Sequence, residues 1–193
     1  MDAGDIAQII ILFLLLLLSA FFLSSETALT TVNKIRMRTL AASGDFRAAR
    51  VLRITDNSGK MLSAILIGNN VVNLSASSLA TSLAISYFGS RGAGIATGIL
   101  TFLILVFGEV SPKTLATIHA DSMALAISGF IELLMKLLTP VIFIINQLSL
   151  LFLRLLRVNP NAGRIKMTEE ELRTIVDVGQ ESGVIENSER DMI

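Results

Sequence analysis

The sequence contains no cysteine and no tryptophan, and its one histidine is His119. Without thiols there are no disulfides and no thiolate metal centres, so the redox compartment cannot be read and soft-metal chemistry is disfavoured. His119 has no second imidazole to share a transition metal with, and no His-Glu-x-x-His run exists. No Ser/His/Asp set stands out for nucleophilic catalysis, and the chain is not read as an enzyme. Base is missing where a signal peptide needs it: Met1 to Asp5 holds two acids and no Lys or Arg. Net charge is zero, with 16 basic and 16 acidic side chains, yet the balance is only global. Residues 1 to 166 carry fourteen Lys/Arg against eight Asp/Glu, whereas residues 167 to 193 carry eight acids against Arg173 and Arg190. An acidic tail follows a basic body, and no nucleic acid is expected as a partner.

What the chain has in excess is apolar length. Hydrophobic residues make up 52% and the mean hydropathy is +0.69, which indicates a membrane protein. Ile6 to Leu23 is interrupted only by Gln8, Ser19 and small alanines, and the first membrane helix is expected from Ile6 to about Thr30. Lys34, Arg36, Arg38, Arg47, Arg50, Arg53 and Lys60 follow, which places that loop in the cytoplasm and the N-terminus outside. Within the loop, Asp45 to Ile54 reads as a short helix against the inner leaflet, and Asp56-Asn57-Ser58-Gly59 as a turn. A second membrane helix is expected from about Met61 to Phe88, an outer turn over Gly89 to Gly94, and a third helix from Gly94 to about Thr117. Met123 to Leu138 and Val141 to Leu153, parted by Thr139-Pro140, are each short for a span. They read as a broken helix along the cytoplasmic face, with two re-entrant legs as the alternative. Thr168-Glu169-Glu170-Glu171 is a capping box opening an acidic helix toward Gly183. A further helix begins near Asn187 and is cut at Ile193, so a fragment of something longer is expected. The fold class is an all-α membrane protein: three transmembrane helices, cytoplasmic-side juxtamembrane belt helices and an acidic helical linker. The domain division is 1–157 for the membrane part and 158–193 for the linker.

Polar groups interrupt the apolar runs at three places. The first helix carries Ser19 and Ser24-Ser25-Glu26-Thr27; the second carries Gly68-Asn69-Asn70-Val71-Val72-Asn73; the third ends in Phe107-Gly108-Glu109-Val110-Ser111-Pro112-Lys113. At about 1.5 Å rise per residue, these clusters fall at overlapping depths, at or below the bilayer midplane. Asn69 and Asn73, four residues apart, share a helix face. Glu109 stands where an acid costs at least ~2.5 kcal/mol, so it needs a polar cavity, a partner or an ion. Pro112 lacks an N–H and should free the carbonyl of Gly108, four residues earlier. Ser19, Ser24, Ser25, Asn69, Asn70, Asn73, Gly108 and Glu109 thus form a candidate set of hard oxygen donors, suited to Mg2+. The bland alternative is a proline kink, with Glu109 paired to Lys113 and the amides bonding neighbouring helices.

Leu18-Ser19-Ala20-Phe21-Phe22 with Ser25-Glu26-Thr27-Ala28-Leu29, Gly68-Asn69-Asn70-x-x-Asn73 and Gly108-Glu109-Val110-Ser111-Pro112-Lys113 together resemble the transmembrane domain of the CorC and cyclin-M family of magnesium transporters. The resemblance covers essentially the whole chain. It implies a homodimer of three-helix units in the plasma (inner) membrane, binding Mg2+ among the three helices at Ser19, Ser25, Asn69, Asn73, Gly108 and Glu109. It further implies export of magnesium against Na+, and an acidic linker that precedes cytosolic CBS domains, through which alone a nucleotide would act. The rival expectation is a membrane-anchored sensor whose bundle only positions cytosolic nucleotide- or partner-binding domains.

Overall fold

The computed structural model describes residues 3–156. The 158–193 linker and the Thr168 to Gly183 acidic helix lie outside the described residues. Among those described there are helices and no strand, which is the all-α membrane architecture expected of long apolar runs whose backbone must bond within its own segment. The elements in order are α1 (Ala3–Thr31), α2 (Lys34–Ala42), α3 (Phe46–Asp56), α4 (Ser58–Leu103), a π-helical segment (Ile104–Val110), α5 (Ser111–Ile118), α6 (Ala120–Leu137) and α7 (Thr139–Leu155). Three stretches are long and apolar enough to cross a membrane: Gly4–Thr31, Ser58–Gly89 and Thr97–Ile118.

α4 holds two of these spans, parted at Gly89. There φ is 66° and ψ −176°, a region open essentially to glycine alone. Tyr87 before the break and Thr97 after it line one apolar pocket with Ile9 of α1, so the chain returns upon itself. The expected outer turn is therefore a one-residue break, with Ser90 to Gly94 already helical. α1 leaves Ile6, Ile10, Phe13, Leu14 and Leu17 exposed, as lipid-facing side chains would be.

Between the first two spans lies a compact belt. Asn33 caps α2 by accepting from the Arg36 N–H at 3.0 Å, and Asp45 caps α3 by accepting from the Arg47 N–H at 2.8 Å. Gly44, at φ 96°, ends α2: its N–H donates to Ala41 O and that of Asp45 to Leu40 O, closing two of the carbonyls of the last turn. The Arg47 amide and guanidinium hold the Asp45 carboxyl below the ordinary aspartate range, so this cap persists in mild acid and is lost as pH falls through the depressed value. α3 buries Ala48, Val51, Ile54 and Thr55, spaced on one helical face. Ala48, Val51 and Ile54 join Met37 of α2, Leu29 of α1, Met61 and Ile65 of α4 and Ile131 of α6 in one core. That core fixes the lower ends of the spans against the belt.

Glu132 of α6 ties this arrangement electrostatically. Its carboxylate lies 3.0 Å from Arg50 Nε, 3.5 Å from Arg53 Nη1 and 3.6 Å from Lys136 Nζ. Arg50 also lies over the Phe46 ring, at 5.6 Å. Since Arg50 Nε is enclosed and has no hydrogen-bond acceptor in good alignment, the carboxylate is what compensates its charge. Glu132→Ala is expected to lower stability by roughly 1 to 3 kcal/mol, the scale of leaving a largely buried polar group unmatched. A thermal melt in detergent checks this, and an unchanged midpoint would show the ion pairs to be incidental.

α6 and α7 have 18 and 17 residues and bend by 63° at Leu138, beside Thr139-Pro140 where the break was expected. The geometry is that of a broken span or a re-entrant pair. From Ile144 on, the described residues belong to a second compact unit, seen as the remainder of α7.

Candidate ion site in the helical bundle

α1 packs against both α4 and the π segment Ile104–Val110, so the helix that carries the first polar cluster touches the elements that carry the other two. Ser19 Oγ donates to Asn69 Oδ1 at 3.2 Å, and both residues are buried. Ser24 and Ser25 are buried as well, and each donates back to its own helix at 2.7 Å, to Ala20 O and Phe21 O. With their protons committed there, their remaining lone pairs can serve an electrophile. Asn69 is buried, Asn73 half-buried one turn along, and Asn70 exposed, about 100° round the helix from Asn69. The structure thus joins Ser19 directly to Asn69 and turns Asn70 away from that contact.

The approach of α1 to α4 at this level depends on Gly68. A Cβ there would stand 2.6 Å from Phe22 Cζ, and Phe22 is 4% exposed and stacked among Phe21 and Phe130. Gly68→Ala must therefore displace a confined ring one residue from Asn69. Overpacking of this kind costs roughly 1 to 3 kcal/mol, and it is expected to part Ser19 from Asn69. Cysteine crosslinking between α1 and α4 at this depth, compared in the Ala variant, measures that separation. Unaltered crosslinking would mean that the ring simply swings aside.

The third span departs from a plain helix. Over Ile104–Val110 the backbone bonds run to the fifth residue back, with Ser111 N–H donating to Val106 O, before α register resumes in α5. Val110, at the start of α5, gives its carbonyl to the first α-type bond of that helix. Between Val106 and Val110 stand the carbonyls of Phe107, Gly108 and Glu109, and between Ser111 and Thr114 the candidate donors are Pro112, which has no N–H, and Lys113. One N–H serves three carbonyls, so two go without a backbone donor. Where one freed carbonyl was expected at Gly108, this count leaves two open among Phe107, Gly108 and Glu109. Gly108 is buried, and an added Cβ would meet only Ile104 Cγ2, at 3.6 Å, so packing within the chain does not require glycine. π turns of this type collect at functional sites.

Glu109 follows Gly108 and pairs with Lys113, Nζ to Oε1 at 3.3 Å. In the single chain the two side chains are 47% and 41% exposed, so the pair is not sealed in a core. The ion pair named as the bland alternative is present, beside the open carbonyls. His119, the hinge between α5 and α6, lines a separate cavity of about 500 Å3 with Asn33, Arg36 and Asp121. There Asp121 accepts from Arg36 and from the Asn33 N–H, each at 3.0 Å. Among the described residues no three of His, Cys, Asp and Glu converge, and the donors at the site are hydroxyl, amide and carbonyl oxygens with one carboxylate.

These features define a class: an all-helical membrane domain, with polar residues on three stretches long and apolar enough to cross a membrane and a π turn in the third. The chain matches the Cyclin M transmembrane N-terminal domain over residues 9–189 and belongs to that family. It is 37% identical to a UPF0053 protein of Haemophilus influenzae over 173 residues, covering 90% of this chain and 41% of that one. It is also 37% identical to the UPF0053 inner membrane protein YfjD of Escherichia coli, covering 82% and 37%. A polyamine export protein of Haemophilus influenzae is 27% identical over 192 residues, covering 93% and 44%. The chain spans about two fifths of the length of these relatives.

Proposed function

We propose that this chain is the cation-translocating domain of a magnesium transporter, a homodimer that exports Mg2+ across the plasma membrane at the expense of a sodium gradient. The observation that carries the reading is the π turn at Ile104–Val110, where Pro112 leaves carbonyls open beside Glu109 on an element packed against α1, whose Ser19 bonds Asn69. Magnesium prefers oxygen ligands and dehydrates reluctantly, so carbonyls, hydroxyls and one carboxylate can receive it with some of its waters retained. Binding by such a set is weak enough per ligand to permit release, which transport requires. Glu109 supplies charge compensation, Gly108 and its neighbours the carbonyls, and Ser19, Ser25, Asn69 and Asn73 the opposing oxygens. The basic belt after α1 supports an N-terminus outside and the belt in the cytoplasm.

The relative named for polyamine export favours a second reading, in which the cargo is a linear organic cation. Ammonium groups donate to the same carbonyl, amide and carboxylate oxygens. Proteoliposomes loaded with Mg2+ or with spermidine, with and without an opposing sodium gradient, separate the possibilities. Sodium-driven magnesium efflux is expected. Spermidine efflux without magnesium efflux would transfer the assignment to polyamines, magnesium flux indifferent to sodium would remove the exchange, and no flux of either would leave the sensor role.

A further inference from the structure

The Glu109–Lys113 pair joins an acid on the π segment to a base on α5, one turn apart across Pro112, with an Nζ to Oε1 distance of 3.3 Å. Half-exposed charges within a span cannot face lipid without a cost of several kcal/mol, so this pair faces protein or a polar cavity. The Lys113 ammonium then stands on the carboxylate oxygen that a cation held by Glu109 would have to contact. We propose that Lys113 is a tethered competing cation that makes Glu109 selective for divalent over monovalent ions. The proposal rests on the reading of Glu109 as a cation ligand.

The argument is electrostatic. An ammonium fixed four residues from its carboxylate competes at an effective concentration that a free ion must exceed, on the order of millimolar or more. A monovalent ion that displaces it gains about the same attraction to Glu109 as it removes, so displacement brings little net change. A divalent ion gains roughly twice that attraction and can displace the ammonium. The long apolar stem of lysine lets the ammonium swing aside along the helix while remaining charged. When the divalent ion leaves, the ammonium returns and keeps the carboxylate compensated, which favours release over trapping. Sodium, on this account, acts elsewhere than on Glu109.

The test uses the protein in lipid nanodiscs and the ions Mg2+ and Na+ themselves. Magnesium binding is titrated calorimetrically at increasing sodium, for the unaltered protein, Lys113→Met and Lys113→Arg. In Lys113→Met the sodium concentration that halves magnesium binding is expected to fall about tenfold, with Lys113→Arg unchanged. In proteoliposomes the Met variant should show a lower KM together with a lower kcat, because the ion binds more tightly and leaves more slowly. Lys113→Gln carries the same measurement if thermal melting shows the Met variant to be misfolded. Sodium competition unmoved in both neutral variants, with magnesium binding intact in the unaltered protein, overturns the competitor role alone. No magnesium binding by the unaltered protein overturns it together with the magnesium assignment.

Discussion

Glu109→Gln is expected to give a folded protein whose magnesium flux has fallen by about a hundredfold or more, because a divalent cation in a medium of low dielectric loses its only acidic ligand there. The substitution keeps shape and hydrogen-bonding reach while removing the charge. Its structural cost is small where Lys113 looks onto the polar cavity argued above, because an ammonium that stays hydrated loses less than about 1 kcal/mol with its partner. Loss of flux with an unchanged melting midpoint therefore reads directly on the ion. Efflux from proteoliposomes, followed by an external magnesium indicator, measures the first quantity and a detergent melt the second. Flux within a factor of two or so of the unaltered protein would make the acid a structural partner of Lys113.

Pro112→Ala carries the second large effect. The alanine N–H can bond Phe107 O in π register or Gly108 O in α register, and either choice closes a carbonyl that the unaltered chain leaves open. The helix gains a bond, yet transport should fall by roughly tenfold or more, since one hard oxygen is withdrawn from the ion. Stability should rise only slightly, by less than about 1 kcal/mol, because Pro112 sits in the first turn of α5, where proline is well tolerated. Opposite movement of the two quantities is the signature: a variant that is both less stable and less active would indicate simple damage. Hydrogen exchange over residues 104–113 should slow as the open carbonyls are paired.

The elements that apolar patterning and turn chemistry specify were legible. The three spans follow from long, largely apolar runs, α3 from the basic residues along one side of Asp45 to Ile54, and the α6–α7 break from Thr139-Pro140. α2 was not foreseen, although Asn33 before Lys34-Ile35-Arg36 is an Asx cap of the usual form; the density of basic residues there reads more readily as loop. The π register was not legible at all. A single inserted residue leaves the apolar pattern of Leu103 to Val110 intact, since every position there except Gly108 and Glu109 is hydrophobic, and periodicity cannot report a slip along a face that is apolar all round. Pro112 was the available signal, and it indicated a broken backbone bond without indicating how many. At the site, the shared face of Asn69 and Asn73 was readable from their spacing, but the Ser19–Asn69 bond depends on the helix approach that Gly68 allows against Phe22. That approach is a tertiary fact.

The two open carbonyls among Phe107, Gly108 and Glu109 and the carboxylate beside them are either a cation site or a kink stabilised by a local ion pair. The double variant Glu109→Gln with Lys113→Met decides, because it removes the pair as a unit and leaves neither charge uncompensated. Magnesium efflux from proteoliposomes containing the double variant should be reduced as severely as in Glu109→Gln alone, at full expression and with an unchanged melting midpoint. Efflux restored to near the unaltered rate would show that the acid serves only its lysine, contradicting the assignment of the π turn as the place where the ion is held.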